Sequence, residues 1–358
     1  MTVAPEPRRV TASHQVAGSR RVTIADVARE AQTSTASVSY ALNGRPGVSA
    51  DTRERVLAVA ERLGWSPTSA ARSLAGARSG TIGLVLARDP RDLAVEPFYM
   101  QFIAGVESTL APRSMGLLLE VAPNAAADVA AIRRWQRARR VDGVLLTDVV
   151  ADDPRIAMLT APGALPALVV GDPCVAGGLT SVWTDDATAM RQAVDHLAAL
   201  GHRRVTRFAA PGRYAYTAIR DSAFEGAARS AGLDHAIVRT DLSPESGATA
   251  ARTVLASARP PTGLLFDNDV MAVAALTAAH DLGRSVPGDV SMIAWDDSML
   301  CRLVTPALTA LSHDVAALGA HAARRLLDAV DGAAAGAHQD ATPTLRIRAS
   351  TGPAPAST

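Results

Sequence analysis

The chain has 358 residues and a mass of 37.1 kDa, of which 48% are hydrophobic, 20% charged and only 4% aromatic. With two cysteines, Cys174 and Cys301, this composition excludes collagenous and disulfide-scaffold classes and a four-thiolate zinc site, and a reducing compartment is the simple reading. The net charge of +1 hides an asymmetry: residues 1–80 hold eleven arginines and six acids, a net of +5, so the remainder carries −4. A small basic head on a mildly acidic body is the footprint of a nucleic-acid module joined to something else. Charge alone leaves a solvated arginine-rich surface open as the alternative. No apolar run approaches the ~18–20 residues needed to cross a bilayer. The first twenty residues are polar and hold no apolar stretch of signal-peptide length, so a cytoplasmic protein with no membrane partner is expected.

Thr23, followed three residues later by Asp26, reads as a helix start with a hydroxyl cap. Ile24, Val27, Ala28 and Ala31 then fall on one helical face. Residues 32–34 interrupt the pattern. Ser34 can cap a second short helix through Tyr40 that buries Val38 and Leu42. Asn43 opens a loop with Gly44, Arg45, Pro46 and Gly47. Ser49 opens a third helix, with Val56, Val59, Ala60 and Leu63 in helical period and Gly64 placed to end it.

Three short helices, the first two joined by a three-residue turn, make a helix-turn-helix bundle. The second is the recognition candidate, because Thr35, Ala36, Ser37 and Tyr40 lie on or near one short, polar side. Small residues there let a helix enter the major groove with its N–H groups toward phosphate.

Residues 66–76 begin with Ser66-Pro67, carry Arg72 and Leu74, and end at Gly76. A helix this short is marginal alone, since isolated helices under ~12–15 residues are unstable in water, and is a candidate for folding on DNA. In that role Leu74 wedges into the minor groove while Arg72 and Arg78 hold phosphate. A plain linker with Leu74 in a core is the alternative.

Residues 22–86 carry a resemblance: the bundle and the segment after it match, without gaps, the head and hinge of the lactose-repressor (LacI/GalR) family. The resemblance implies that Thr35 and Ala36 occupy base-reading positions and Leu74 the intercalating hinge leucine. Tyr40 stands where the family often has arginine, and a tyrosine cannot make the bidentate guanine contact.

Further along, residues 81–87, 141–147, 167–171 and 263–266 are short apolar runs suited to buried parallel strands. Between them lie helical stretches at 102–110, 186–200, 222–231 and 270–282. Alternating strand and helix predicts an α/β sheet covered on both faces. Pro/Gly punctuation near 171–178 and 304–306 suggests crossings between two lobes. There is no G-x-G-x-x-G after the first strand, no phosphate loop and no G-x-S-x-G elbow, so no enzyme and no cofactor is expected. His196 and His202 have poor metal spacing and read as cap and surface residues.

The body is similar to the two-lobed periplasmic sugar-binding (type I) fold that follows the head in this family. The carriers are residues 141–146 (VDGVLL), 195–205 (DHLAALGHRRV), 220–224 (RDSAF), 261–269 (PTGLLFDND), 286–297 (VPGDVSMIAWDD) and 306–309 (PALT). Ala294 stands where glycine is usual, and Gly263 where alanine is common; both are expected near the cleft. Polar-ligand capture between the lobes is implied. Arg220 can fork onto vicinal hydroxyls or a carboxylate, and Asn268 and Asp296 can hydrogen-bond other hydroxyls. Phe98, Tyr99, Tyr214 or Tyr216 can stack on a sugar ring or a base. Asp172 is a further candidate, and Asp269 reads as the cap of the helix that follows. Each can also be structural: Arg220 on a surface, Asp296 as a cap, Phe98 and Tyr99 in a core.

The organisation read from the chain is therefore a disordered basic extension at 1–21, a helix-turn-helix domain at 22–65 and a hinge at 66–79. A two-lobed effector-binding and dimerisation body at 80–351 and a frayed tail at 352–358 complete it. The function expected is a DNA-binding transcription regulator, a repressor, pairing as a homodimer on a pseudo-palindromic operator in double-stranded DNA and controlled by a small metabolite, a sugar. A purine- or sugar-phosphate-responsive regulator, and a ligand-binding receptor or α/β enzyme, are the alternatives.

Overall fold

The computed structural model describes residues 22–42, 46–65, 78–88, 93 and 96–356, in two units, Met1–Ala77 and Arg78–Thr358. The expected N-terminal extension, Asn43, and the hinge segment with Arg72 and Leu74 lie outside the described residues.

In the first unit, Thr23 caps helix α1 (Ile24–Glu30) through a reciprocal box with Asp26. Hydrogen bonds from Thr23 and Arg29 hold the Asp26 carboxyl down to about 2. A turn with Gln32 in the left-handed region leads to α2 (Thr35–Leu42). Ser49 caps α3 (Ala50–Arg62), which ends at Gly64 with φ +61. There the Trp65 amide donates back to the Ala60 carbonyl at 2.9 Å, satisfying an end that regular helix bonds leave open. Val27, Ala28, Ala31, Val38, Ala41, Val56, Val59 and Ala60 form the small core. Two arginines of α3 are used as struts: Arg53 donates to the Ala41 carbonyl at 2.9 Å and Arg55 to that of Ala31 at 3.0 Å.

The second unit holds two parallel-rich sheets, one per lobe. The first lobe contains β1 (Thr81–Leu86), β2 (Gly116–Val121), β3 (Gly143–Leu146), β4 (Ala167–Val170), β5 (Thr180–Trp183) and, late in the chain, β11 (Ala337–Gln339). Their order is β11-β5-β4-β3-β1-β2. The second contains β6 (Arg204–Ala209), β7 (Asp234–Arg239), β8 (Gly263–Phe266), β9 (Ser291–Trp295), β10 (Thr309–Ser312) and β12 (Thr344–Arg346), ordered β12-β10-β9-β8-β6-β7. Only β12 runs antiparallel, against β10.

Helices cover both sheets: α4 (Pro97–Leu110), α5 (Ala125–Arg137), α6 (Pro154–Leu159), α7 (Asp186–Ala199), α8 (Ala215–Ser230), α9 (Pro244–Leu255), α10 (Asp269–Asp281), α11 (Met299–Leu303) and α12 (Val315–Val330). Central strands buried on both faces explain the continuous apolar runs seen in the sequence. Helices α4 and α12 touch backbone to backbone. A Cβ on Gly105 would overlap the Ala316 carbonyl, and one on Gly319 that of Phe102, so only glycine fits either position.

The crossings between lobes differ from expectation. They fall at residues 184–185, 313–314 and 340–343, where the chain passes from one sheet's elements to the other's. The Pro/Gly-rich stretch at 171–178 instead folds as a short turn inside the first lobe, and that at 304–306 leads into β10. The C-terminal residues also differ from a frayed tail: the Gly352 amide donates to Ser291 Oγ at 3.1 Å and that of Ala354 to the Leu200 carbonyl at 2.8 Å. His202 is responsible for part of this. It is fully buried rather than on the surface, and its ring meets Thr262 Oγ1, Ser291 Oγ and the Gly352 carbonyl at 2.9, 3.0 and 3.2 Å. Arg78, expected on phosphate, pairs with Asp331 and donates to the Val330 carbonyl at 2.9 Å.

Candidate functional site

On α2, Thr35, Ala36 and Tyr40 are exposed and Ser37 is half-buried, while Val38 and Ala41 turn into the core. The segment therefore has one apolar face and one short-chained polar face. The hydroxyls of Thr23 and Ser34, read from the sequence as helix caps, are engaged within the bundle. Thr23 donates to Asp26 at 2.6 Å, and Ser34 accepts from the Ser37 amide at 3.0 Å.

Charge is distributed less simply than the +5 of the head suggests. Residues 22–65 balance five arginines (29, 45, 53, 55, 62) against five acids, so the excess lies in the flanking segments. Arg29 and Arg62 pair with Asp26 and Glu30.

In the second unit a cavity of about 130 Å³ lies between the lobes. A cavity needs roughly 10–15 Å³ to hold one water, so the space suits a ligand of on the order of ten heavy atoms. Its walls are built from the residues that follow the C-terminal ends of strands in both sheets, where ligands of open α/β sheets are held. Arg88 follows β1, Thr147 and Asp148 follow β3, Gly171 follows β4 and Thr184 follows β5; Asp267, Asp296 and His313 follow β8, β9 and β10. Phe98 and Tyr99 enter from the first turn of α4, and Tyr216 and Arg220 from α8.

Three side chains face this space with hydrogen-bonding capacity in hand. Arg220 lies 3.5 Å from the Trp295 ring centroid and 4.8 Å from that of Tyr216. Its Nε donates to Asp186 at 2.7 Å, which leaves the two Nη groups as donors at the cavity. Asp296, held at φ +64, has a buried Oδ1 without a hydrogen-bond partner among the described residues. His313 has neither ring nitrogen bonded there and sits 4.0 Å from that oxygen. Burial pushes the Asp296 carboxyl well above the usual range and the His313 imidazole below its own. More than nine in ten buried polar groups in folded proteins are bonded, so three such atoms around one cavity mark a place for polar ligand atoms.

Other wall residues are already committed. Asp267 takes both forks of Arg207 at 3.0 and 2.7 Å and the Ala210 amide at 2.8 Å. Asp148 is gripped by Arg88 through two bonds of 2.9 Å and by the Tyr99 hydroxyl.

Of the residues expected to meet a ligand, Phe98, Tyr99, Tyr216, Arg220 and Asp296 stand together on this wall. Three do not. Asn268 is buried with both ends used: its Oδ1 caps α10 by accepting from the Met271 amide, and its Nδ2 donates to the Leu242 carbonyl, each at 2.9 Å. It thereby takes the cap role expected of Asp269, which is the first residue of that helix. Asp172 caps its own turn by accepting from the Cys174 amide at 2.9 Å. Tyr214 lies behind Tyr216, stacked on it at 5.5 Å, and faces a different space. Gly263 is also remote from the cavity, at the N-terminal end of β8 against Leu197.

Sequence reasoning missed Arg88, Asp148, Thr184, Asp186 and His313. The available signal was position, one to three residues after an apolar strand. Among the described residues, no helix is long and apolar enough to cross a membrane, and no group of three His, Cys, Asp or Glu is placed to hold a metal ion.

A helix-turn-helix head followed by a two-lobed binding-protein body defines a ligand-responsive class of DNA-binding protein. Comparison with known proteins gives the same answer. Residues 23–68 match the family model for bacterial regulatory proteins of the lacI family, and residues 194–351 match that of a periplasmic binding protein-like domain. An HTH-type transcriptional repressor PurR from Erwinia tasmaniensis is 32% identical over 314 residues, covering 86% of this chain and 90% of that protein. The lac repressor dimer bound to operator and the anti-inducer ONPF superimposes with a TM-score of 0.81 at 28% identity, covering 93% of this chain and all of the other. A complex of the transcriptional regulator CelR with cellobiose gives 0.70 at 28% identity, with 92% and 100% coverage. The chain belongs to the lacI family of bacterial regulatory proteins: it is a DNA-binding transcriptional regulator with a ligand-binding body, not an enzyme.

Proposed function

We propose that this regulator is a cytoplasmic repressor that grips a pseudo-palindromic operator as a homodimer and is controlled by a neutral sugar held between its lobes. The observation that carries the ligand assignment is the set of unbonded buried atoms, Asp296 Oδ1 and both His313 nitrogens, beside Arg220. Vicinal hydroxyls both donate and accept, which suits a carboxylate, an imidazole and a guanidinium on one wall. Phe98, on the same wall, offers an aromatic surface for the apolar side of a ring. Both guanidiniums of the lining already have an acid partner, Arg88 in Asp148 and Arg220 in Asp186, which disfavours a sugar phosphate. The cellobiose held by the CelR structure supports the same ligand class.

On the head, Thr35, Ala36, Ser37 and Tyr40 are the groups we assign to the major groove, with Thr23, Ser34 and Asn43 beside the phosphates and Leu74 and Arg72 at the minor groove. The lac repressor dimer on its operator supports the paired arrangement, as do Met100, Met299 and Leu303, large apolar side chains exposed on the body. In a pair, two recognition helices stand about 34–36 Å apart, one DNA turn. Ligand shifts the pairing of the heads through its different affinity for the two arrangements.

Thermal denaturation with a panel of hexoses, disaccharides and nucleobases tests the ligand. A ligand at a hundred times its Kd stabilises by about 2.7 kcal/mol, or roughly 5 °C for a unit of this size. At least one neutral sugar is expected to give that shift, and Asp296→Ala to remove most of it. A shift with nucleobases alone would replace the sugar with a base, and an undiminished shift in Asp296→Ala would move the ligand elsewhere.

A further inference from the structure

A second, larger space of about 790 Å³ lies next to the inner cavity, lined by Asp128, Arg155, Arg213, Tyr214 and Asp241 among others. Arg88, Thr147 and Asp148 border both spaces. We propose that the Arg88–Asp148 pair is an end wall that restricts the effector to a single ring and closes the outer chamber to it. The inference rests on the inner cavity being the effector site.

The wall is tied from every side. Arg88 Nε and Nη2 each donate to a different oxygen of Asp148 at 2.9 Å, and the Tyr99 hydroxyl donates to the same carboxylate. The guanidinium lies 5.7 Å from the Tyr99 ring centroid and 5.1 Å from that of Tyr214, so it is held between aromatic groups of the two lobes. Asp148 itself is at φ +52, a left-handed conformation that a non-glycine residue keeps only where its surroundings impose it. The next two residues are pinned to the second lobe: the Val149 carbonyl accepts from the Ala215 amide at 2.9 Å, and Val150 bridges to Tyr214.

The Arg88 side chain is 8% exposed. Separating it from Asp148 would leave an unpaired buried charge, so a ligand contact at the wall does not easily open it. An inner space of about 130 Å³ takes one hexose ring and not two, whereas the joined spaces would take a disaccharide.

The test is calorimetric binding to the full chain of matched short and long ligands: hexoses against their β-1,4-linked disaccharides, and nucleobases against nucleosides. The second pairs keep the size question independent of ligand type. The unaltered chain is expected to bind the shorter member at least tenfold more tightly. Arg88→Ser/Asp148→Ser removes both charges together and opens the wall, and is expected to narrow that ratio at least tenfold. Arg88→Met/Asp148→Leu refills the space with apolar bulk and is expected to keep it. Equal binding of both members by the unaltered chain overturns the wall, without any variant. So does an unchanged ratio in the serine pair while the shorter ligand still binds. Failure of every ligand to bind the unaltered chain removes the effector-site reading itself, and the wall with it.

Discussion

Ala36→Glu is expected to weaken operator binding by at least a hundredfold while the bundle melts at an unchanged temperature. Ala36 is exposed on α2 and contributes nothing to the core of Val27, Val38 and Val56. An acid in the first turn is, if anything, favourable to the helix itself. In the major groove the same carboxylate meets the phosphate field and acceptor edges of bases. Each mismatched contact costs about 1–3 kcal/mol, and a homodimer incurs it twice. Binding is read by fluorescence anisotropy on a duplex selected from a random pool, and folding by circular dichroism. Ala36→Ser, small and uncharged, is the control and should lose less than tenfold. Equal affinity of the glutamate variant and the unaltered chain would remove α2 from the groove.

Arg207→Met is expected to be the most destabilising conservative-sized change in the body. Its guanidinium is fully buried between Asp267 and Asp221. Arg239 neutralises Asp221 from its other side, but among the described residues nothing equivalent reaches Asp267, whose remaining donor is the Ala210 amide. Removing one partner of a buried pair costs about 3–5 kcal/mol, because it leaves the other charge desolvated and unpaired. The melting temperature of the body should fall by roughly 5–8 °C. Arg207→Met/Asp267→Leu, which removes both charges, should recover part of that loss. A fall below about 2 °C in the single variant would mean that this buried pair does not hold the body together. Ligand binding would weaken too, since Asp267 forms part of the cavity wall.

Much of this architecture was legible because it depends on period and punctuation. The capping box at Thr23, the turn at residues 32–34 and the glycine stop at Gly64 are local signals, and each element forms where they place it. Buried parallel strands likewise announce themselves as apolar runs. The cleft was only partly legible. Phe98, Tyr216, Arg220 and Asp296 sit on its wall, but Asn268 and Asp172 have the same chemistry and serve as caps. What separates Asp296 from Asn268 is the direction in which the backbone leaves its strand, and that is set by neighbouring strands far away in sequence. Arg88 and Asp148, sixty residues apart, become partners only through the pairing of β1 with β3. The lobe crossings were misplaced for a related reason. Glycine and proline mark any turn, and only sheet membership distinguishes a turn within a lobe from a passage between two. His202 and the C-terminal residues needed the same non-local information.

The central claim is that occupancy of the inner cavity controls the grip of the head on DNA. Anisotropy of a labelled operator, titrated with the unaltered protein and with Asp296→Ala, in the presence and absence of the stabilising sugar, measures that linkage directly. The sugar should change operator affinity at least tenfold in the unaltered protein and leave the variant's affinity where it was. If saturating sugar binds without changing operator affinity, or moves both proteins equally, then the cavity and the head are not coupled as described.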